Sequence, residues 1–373
     1  MRLCYIANPY SIHTQRWLRY FVGRGHEVYL IGVSPTRGSL PSGAIPSSVV
    51  FYDLMAQINV RKLRYLAWGL AARRIVHKVQ PDVLHAHQIA GDGWVGAVAG
   101  YHPLVVTAWG SDLLVGPARS WVHRQLARWV LRQADYVTCV SESLARAARA
   151  LGADPARLEV ASWGIDTTVF HPASANTALR QQLDLGPGPV VLSIRALRSL
   201  YNPLDIAQAI PCVLAQVPEA QFVIRTYSYD PDLLAQFQAT VREHDAVEAV
   251  HYVGDLPDDH AVAELYRIAD VAVSVPLSDG TPLSVLEAMA CGASVVVSDL
   301  PSLREWITGG ENGLLVPVQD AGALAEAIIQ LLRDPQQRAE FRRRNLGLIR
   351  ERANHQVEME KMETLYYTLL EKS

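Results

Sequence analysis

The sequence predicts an α/β protein of two doubly wound parallel-sheet domains facing across a cleft. Three observations carry this expectation. The chain has 373 residues, more than one ordinary hydrophobic core organises, and the length suits two domains. Short apolar runs alternate with amphipathic stretches in both halves, the pattern of right-handed strand–helix–strand crossovers on a parallel sheet. The halves also differ in charge. Residues 1–170 hold 18 Lys and Arg against 10 Asp and Glu, net +8. The remainder holds 16 against 27, net −11, giving −3 for the chain. Such asymmetry points to two domains with different partners.

In the first half, Leu3–Ala7, Val28–Gly32, Val83–His87, Leu104–Ala108 and Tyr136–Val140 read as buried strands. Helical patterns lie around Thr14–Gly23, Arg61–Lys78, Gly93–Gly100 and Trp121–Arg132. In the second half, strands are expected at Val190–Ile194, Gln221–Thr226, Val250–Val253, Val271–Val275 and Ser294–Val297. Helices are expected near Leu204–Gln216, Pro231–His244, Ala261–Ile268, Leu283–Cys291 and Ala321–Arg333. The joint is expected in Val169–Leu185, with domains at 1–170 and 171–345. Gly186-Pro187-Gly188-Pro189 punctuates entry to the next strand. An amphipathic stretch, Phe341–Leu370, reads as one closing helix packing back toward the first domain; the block 346–373 is its terminal part. In open parallel sheets ligands bind beyond the carboxyl ends of the strands, so function belongs in strand-to-helix loops.

Composition narrows the function classes. Half the residues are hydrophobic and 19% are charged, as in a soluble globular protein. Cys4, Cys139, Cys212 and Cys291 have apolar neighbours and no metal spacing, as expected of buried thiols in a reducing compartment. No secretory signal and no spanning apolar stretch is read, so the expected location is cytoplasmic, with peripheral contact at the inner face of a membrane allowed.

The strongest site signal is Ser278-Asp279-Gly280-Thr281-Pro282-Leu283-Ser284-Val-Leu-Glu287-Ala-Met-Ala-Cys-Gly292, after the strand Val271–Val275. Thr281 reads as a cap and Pro282 as the first helical residue. Gly280 permits close backbone approach. Amides at 281–284 and the helix dipole form a site for phosphate. Glu287 falls in an apolar run, where a carboxylate needs partners; vicinal ribose hydroxyls are one such set. Asp279, eight residues earlier, is placed to accept from sugar hydroxyls. An acidic cap with a backbone-bonded glutamate is the structural alternative on spacing alone.

This arrangement resembles the acidic-x7-acidic signature of retaining nucleotide-sugar glycosyltransferases of the glycosyltransferase B fold, group 1 or family 4-like. These include glycogen-synthase-like and lipopolysaccharide-type enzymes. Leu286-Glu287-Ala288-Met289-Ala290 stands as in the family, while Asp279 replaces its usual glutamate. The Ser-Asp-Gly-Thr-Pro variant is similar to bacterial surface-polysaccharide enzymes. The resemblance implies two Rossmann-like domains and covers nearly the whole chain. Tyr252-Val-Gly254, Leu265-Tyr266-x-x-Ala269-Asp270, Gly313–Pro317, Gly25-His26-Glu27-Val28, Pro81-Asp82-Val-Leu-His85-Ala-His87 and Trp163-Gly164-Ile165-Asp166 all have counterparts. Several of these, His26 among them, read as packing signals. The resemblance implies that Glu287 binds the donor ribose and Asp279 the transferred sugar. Gly280, Thr281, Pro282, Leu283 and Ser284 would meet sugar or diphosphate.

Three segments depart from the family. Trp109-Gly110-Ser111-Asp112 stands where His-Gly is common; Trp109 is a flat face for a sugar and Asp112 a partner for hydroxyls, or they are a packed Trp and a cap. The Gly-Arg…Lys-Gly phosphate clamp reads Ile194-Arg195-Ala-Leu-Arg198-Ser-Leu-Tyr201-Asn202. The lysine is missing; Arg195 keeps the arginine's place and Arg198 is expected to replace the second cation, surface arginines being the alternative. Tyr227-Ser-Tyr-Asp230 replaces Gly-x-Gly, so the base is framed differently. The loop Asn8–Thr14 replaces a Gly-rich loop, and Ser11, His13 and Thr14 are expected in the cleft toward the acceptor, a helix-capping loop being the alternative.

The expected chemistry is sugar transfer from a UDP- or GDP-sugar to a hydroxyl of a saccharide or lipid-linked acceptor, with retention of configuration. Asp279 and Arg195 are the catalytic assignments and no protein nucleophile is nominated. No carboxylate or His/Cys cluster suits a metal, and no cofactor is expected. Domain closure is expected to bring acceptor to donor. Arg61–Trp68 and Arg119–Trp129 are basic amphipathic stretches suited to anionic lipid, or ordinary core-facing helices. No nucleic-acid module is read. The rivals are a non-catalytic nucleotide-sugar-binding scaffold and a sugar-nucleotide epimerase of the same fold. A dinucleotide oxidoreductase is disfavoured because no Gly-x-Gly-x-x-Gly follows the first strand.

Overall fold

The computed structural model describes residues 1–34, 40, 42–57 and 63–371. They form two units, Met1–Ser162 with Glu358–Ser373, and Trp163–Val357. Trp163–Phe170 and the segment Val169–Leu185 thus both belong to the second unit. Arg61 and Lys62 of the first basic stretch lie outside the described residues.

The first unit is a seven-stranded parallel sheet of order β3-β2-β1-β4-β5-β6-β7. Its elements run β1 (Arg2–Ala7), α1 (Ile12–Gly23), β2 (Glu27–Gly32), β3 (Val50–Asp53), α2 (Leu54–Gln57), α3 (Arg64–Val79) and β4 (Val83–Ala86). There follow α4 (Asp92–Ala99), β5 (Leu104–Ala108), α5 (Ser111–Leu114), α6 (Trp121–Gln133), β6 (Tyr136–Cys139), α7 (Glu142–Ala150) and β7 (Leu158–Val160). The central strands read as continuous apolar runs because both faces of the sheet are covered; β4 and β5 are buried at every residue. The edge strands β3 and β7 were not legible: they have three or four residues and are mostly half-buried or exposed. Helix α7 was missed too, although Ser141 caps it by accepting from the Leu144 amide.

The second unit is a six-stranded parallel sheet of order β10-β9-β8-β11-β12-β13. Its elements are α8 (Thr177–Gln182), β8 (Val190–Ser193), α9 (Pro203–Leu214), β9 (Gln221–Arg225), α10 (Pro231–Glu243), β10 (Val250–Val253), α11 (Asp259–Arg267) and β11 (Val271–Ser274). The remainder are α12 (Leu283–Cys291), β12 (Ser294–Ser298), β13 (Leu314–Val316), α13 (Ala321–Arg333) and α14 (Pro335–Arg352); α15 (His355–Glu371) starts here and runs into the first unit. Its core joins strand residues such as Val191, Phe222 and Val273 to Ile210 of α9 and Ile328 of α13. The two parallel-sheet α/β domains are as the sequence predicts.

The expected single closing helix is instead two, α14 and α15. Asn354 makes a parallel bridge with Ile165. The Ile165 amide donates to Ala353 O (2.8 Å) and the His355 amide to Ile165 O (3.1 Å), which takes the backbone out of helical pairing. Gly164 makes this approach possible: its φ is +60°, and a Cβ there would lie 2.6 Å from Asn354 C. From Glu358 onward α15 belongs to the first unit. There Glu363 Oε1 lies 2.7 Å from His26 Nε2, the packing role read for His26. Tyr366 Oη is 2.6 Å from His85 Nδ1, whose Nε2 is 2.6 Å from Thr107 Oγ1.

Candidate functional site

Each sheet reverses its strand order once, between β8 and β11 in the second unit and between β1 and β4 in the first. At such a point the helices leave in opposite directions and open a crevice beyond the carboxyl ends of the strands. Arg195 follows β8, and the segment Ser278–Gly292 follows β11. The two loops are tied by the Leu277 amide donating to Leu200 O at 2.8 Å.

Here the structure brings together Arg195, Asp279, Gly280 and Ser284. Arg195 Nη1 donates to Ser284 Oγ at 3.0 Å and lies 3.2 Å from Asp279 Oδ2. That ion pair is close but outside hydrogen-bond geometry, which leaves Asp279 Oδ2 buried without a hydrogen-bond partner. Asp279 Oδ1 accepts from the Gly280 amide at 2.9 Å. The Arg195 guanidinium also stacks 4.2 Å from the Tyr201 ring centroid. Burial opposes the Arg195 charge, but Asp279, with Tyr201 and Tyr227 alongside, outweighs it and raises its pKa.

The start of α12 differs from the expected cap. Pro282, not Thr281, is the N-cap residue, and Leu283 begins the helix. Pro282 has no N–H, the Leu283 amide donates to Thr281 O at 3.0 Å, and the Gly280 amide is taken by Asp279. The expected row of amides at 281–284 is therefore interrupted. Thr281 and Ser284 are half-buried, while Gly280, Pro282 and Leu283 are buried.

Glu287 is buried in the apolar face of α12. Tyr266 of α11 donates to its Oε2 at 3.2 Å. Arg198 does not join Arg195: it is exposed, and its Nη2 donates to Ser228 Oγ at 2.9 Å. Arg198 thus makes a loop contact here, apart from the Arg195 cluster. The Leu197 amide donates to Ser228 O and the Asp230 amide to Leu197 O, which holds the Tyr227–Asp230 loop against the Arg195 loop.

In the first unit the loops after β1, β4 and β5 converge. Ser11 is the N-cap of α1, without a side-chain cap bond. His13 meets Trp109 edge-on at 5.9 Å between centroids. Thr14 is fully buried, and its Oγ1 has no hydrogen-bond partner. Asp112 holds its loop: its carboxylate accepts from the amides of Ile89 (2.8 Å), Gly110 (2.7 Å) and Trp109 (3.1 Å). Burial raises its pKa against these three amides. Trp68 is in the core, as the core-facing alternative for Arg61–Trp68 has it.

Sequence reasoning quoted His87 only as part of a strand motif. The structure places its ring among Trp17 (5.1 Å), Tyr5 (5.4 Å) and Trp109 (5.5 Å), with neither nitrogen hydrogen-bonded. Burial, with His13 second, lowers its pKa to about 3, so the ring is neutral at physiological pH. Arg225 was missed as well, since a lone arginine ending an apolar run carries no motif. Among the described residues, no group of three or more His, Cys, Asp or Glu is placed to hold a metal ion.

Comparison with known proteins agrees with the fold. Residues 176–346 match the family profile "Glycosyl transferases group 1", and residues 2–141 match "Glycosyl transferase 4-like". A D-inositol 3-phosphate glycosyltransferase of Acidothermus cellulolyticus is 28% identical over 368 residues, covering 91% of this chain and 81% of that protein. Among solved structures, a sucrose-phosphate synthase from Thermosynechococcus elongatus superposes with TM-score 0.84 at 21% identity over all of both chains. Anabaena HepE in complex with UDP and glucose gives TM-score 0.81 at 17% identity, over 99% of this chain and 100% of that one. These two establish the two-domain glycosyltransferase B fold. With one profile on each unit and a relative along almost its full length, the chain belongs to the group 1 glycosyltransferases.

Proposed function

We propose that this glycosyltransferase moves a sugar from a UDP- or GDP-sugar to a hydroxyl of a saccharide or lipid-linked acceptor, with retention of configuration and without a metal ion. The observation that carries the reading is the cluster on one strand-to-helix turn: Asp279 against Arg195, with Ser284 and Glu287 on the helix that follows. Glu287 takes the donor ribose, with Tyr266 fixing its Oε2. Asp279 holds hydroxyls of the transferred sugar. Arg195 neutralises the diphosphate as it leaves and the sugar carbon gains positive charge. An arginine supplies that charge through paired N–H donors, the role a metal ion has elsewhere. Support comes from the relatives: one structural neighbour holds UDP and glucose, and the inositol-phosphate relative is itself named a glycosyltransferase.

The first unit takes the acceptor at the loops after β1 and β5, where Ser11, His13, Thr14 and Trp109 lie. The Ser-Asp-Gly-Thr-Pro segment supports an acceptor from surface-polysaccharide assembly. A cytoplasmic protein docked on anionic lipid fits the exposed apolar residues. Leu63 just before α3 and Leu66 and Leu70 along it are exposed, and Trp121 (73% exposed) and Val122 open α6. Arg124 and Arg128 stand on the same α6. No helix among the described residues is long and apolar enough to cross a membrane.

A scaffold that binds donor without turnover is favoured by one observation only, the engagement of Arg195 by Asp279. A panel of UDP-, GDP- and ADP-sugars tested by thermal shift and by transfer to saccharide acceptors separates the two. The transferase reading expects stabilisation by a UDP- or GDP-sugar together with release of the nucleoside diphosphate. Stabilisation without release across acceptors would establish the scaffold instead.

A further inference from the structure

Arg225 closes β9, paired with Val253 of β10, after the apolar run Phe222–Ile224. It is 6% exposed, and its Nε is buried without a hydrogen-bond partner. A guanidinium N–H withdrawn from water is costly unless an acceptor meets it. The group is held in place from one side: its carbon lies 4.7 Å from the Tyr227 ring centroid. Tyr227 itself is 42% exposed, so this pair sits where the loop after β9 meets solvent. The same corner holds Glu287. Glu287 and Arg225 both act electrostatically on the hydroxyls of Tyr227 and Tyr266, and Tyr266 is the residue that donates to Glu287.

We propose that Arg225, held by Tyr227, reads the nucleobase of the donor by donating to a ring carbonyl, and so selects uracil or guanine over adenine. The inference rests on the donor reading above, in which Glu287 takes the adjoining ribose. Arginine has N–H donors and no acceptor. Uracil and guanine present carbonyl oxygens at their edges, whereas adenine places an amino donor where guanine carries O6. A donor fixed opposite that carbonyl position meets an acceptor in uracil or guanine and an amino group in adenine, and so discriminates against adenine. The Tyr227-Ser-Tyr sequence contributes by packing an aromatic face against the guanidinium, which limits the rotamers of Arg225.

The test is calorimetric titration of UDP, GDP and ADP into the full chain and into Arg225→Met, Arg225→Lys and Tyr227→Leu. The native chain is expected to bind UDP or GDP at least about ten-fold more tightly than ADP, the range of one charge-assisted hydrogen bond. Arg225→Met should bring that ratio below about three-fold by weakening the preferred nucleotide, with ADP affinity unchanged. Arg225→Lys keeps the charge without the planar fork and should fall between, as should Tyr227→Leu. Melting curves without nucleotide identify any variant that fails to fold, and the remaining two then decide. Equal weakening of all three nucleotides would overturn the inference, because it would make Arg225 a phosphate or structural residue. So would a native preference for ADP, or an unchanged ratio in the variants. Failure of the native chain to bind any of the three would overturn the donor reading, and the inference with it.

Discussion

Arg195 and Asp279 come from loops 84 residues apart in sequence and meet with little exposure on either side chain. Breaking a pair of this kind leaves the surviving charge without its partner, which costs more than the pair contributes. Arg195→Ala is therefore expected to lower stability by about 2–3 kcal/mol, and Arg195→Ala with Asp279→Ala to recover part of that loss. Transfer activity should be lost in both. Thermal unfolding beside a transfer assay checks this; recovery of activity in the double variant would remove both residues from the reaction. The candidate segment Ser278–Gly292 was legible as a motif, because Leu286–Ala290 and the spacing of Asp279 to Glu287 are local. What lay outside the sequence was the company each residue keeps. Tyr266 on Glu287, Ser228 on Arg198 and the Ile89 amide on Asp112 are tertiary contacts between elements with no fixed spacing.

At the scale of elements, strands were legible where both faces of a sheet are covered, as in β5, β8 and β11. The short edge strands β3, β7 and β13 were not, because one side lies open and the apolar run breaks. The closing helix was read as one because its amphipathic pattern runs on past Asn354. The break depends on a partner, Ile165, almost two hundred residues earlier. That partner reaches Asn354 only because Gly164 has no side chain. Gly164→Ala is expected to lower stability by roughly 1–3 kcal/mol, from a positive φ and a backbone clash. A melting temperature equal to that of the native chain would show that Ile165 and Asn354 separate without cost.

At the scale of the whole molecule, the alternation of strand and helix and the opposed charges of residues 1–170 and the rest predicted two α/β units, and two parallel sheets are present. The positive half also carries the exposed stripe Leu63, Leu66 and Leu70 with Trp121 and Val122. Sedimentation with anionic vesicles is expected to deplete the protein at low salt. It should deplete less at about 0.5 M salt, where screening shortens the reach of the arginines. Leu66→Ser with Trp121→Ser should weaken the binding; no depletion by the native chain at low salt would remove the lipid surface from the account.

The central claim is that Ser278–Gly292 binds a nucleotide sugar through Glu287. Its most direct test is titration of the sugar nucleotide that best stabilises the native chain into the native chain and into Glu287→Ala, with melting curves to establish that both are folded. The account predicts saturable binding by the native chain and a loss of at least about a hundred-fold in the folded variant, since ribose hydroxyls would face a pocket without its charged acceptor. Undiminished binding and transfer by Glu287→Ala would contradict it.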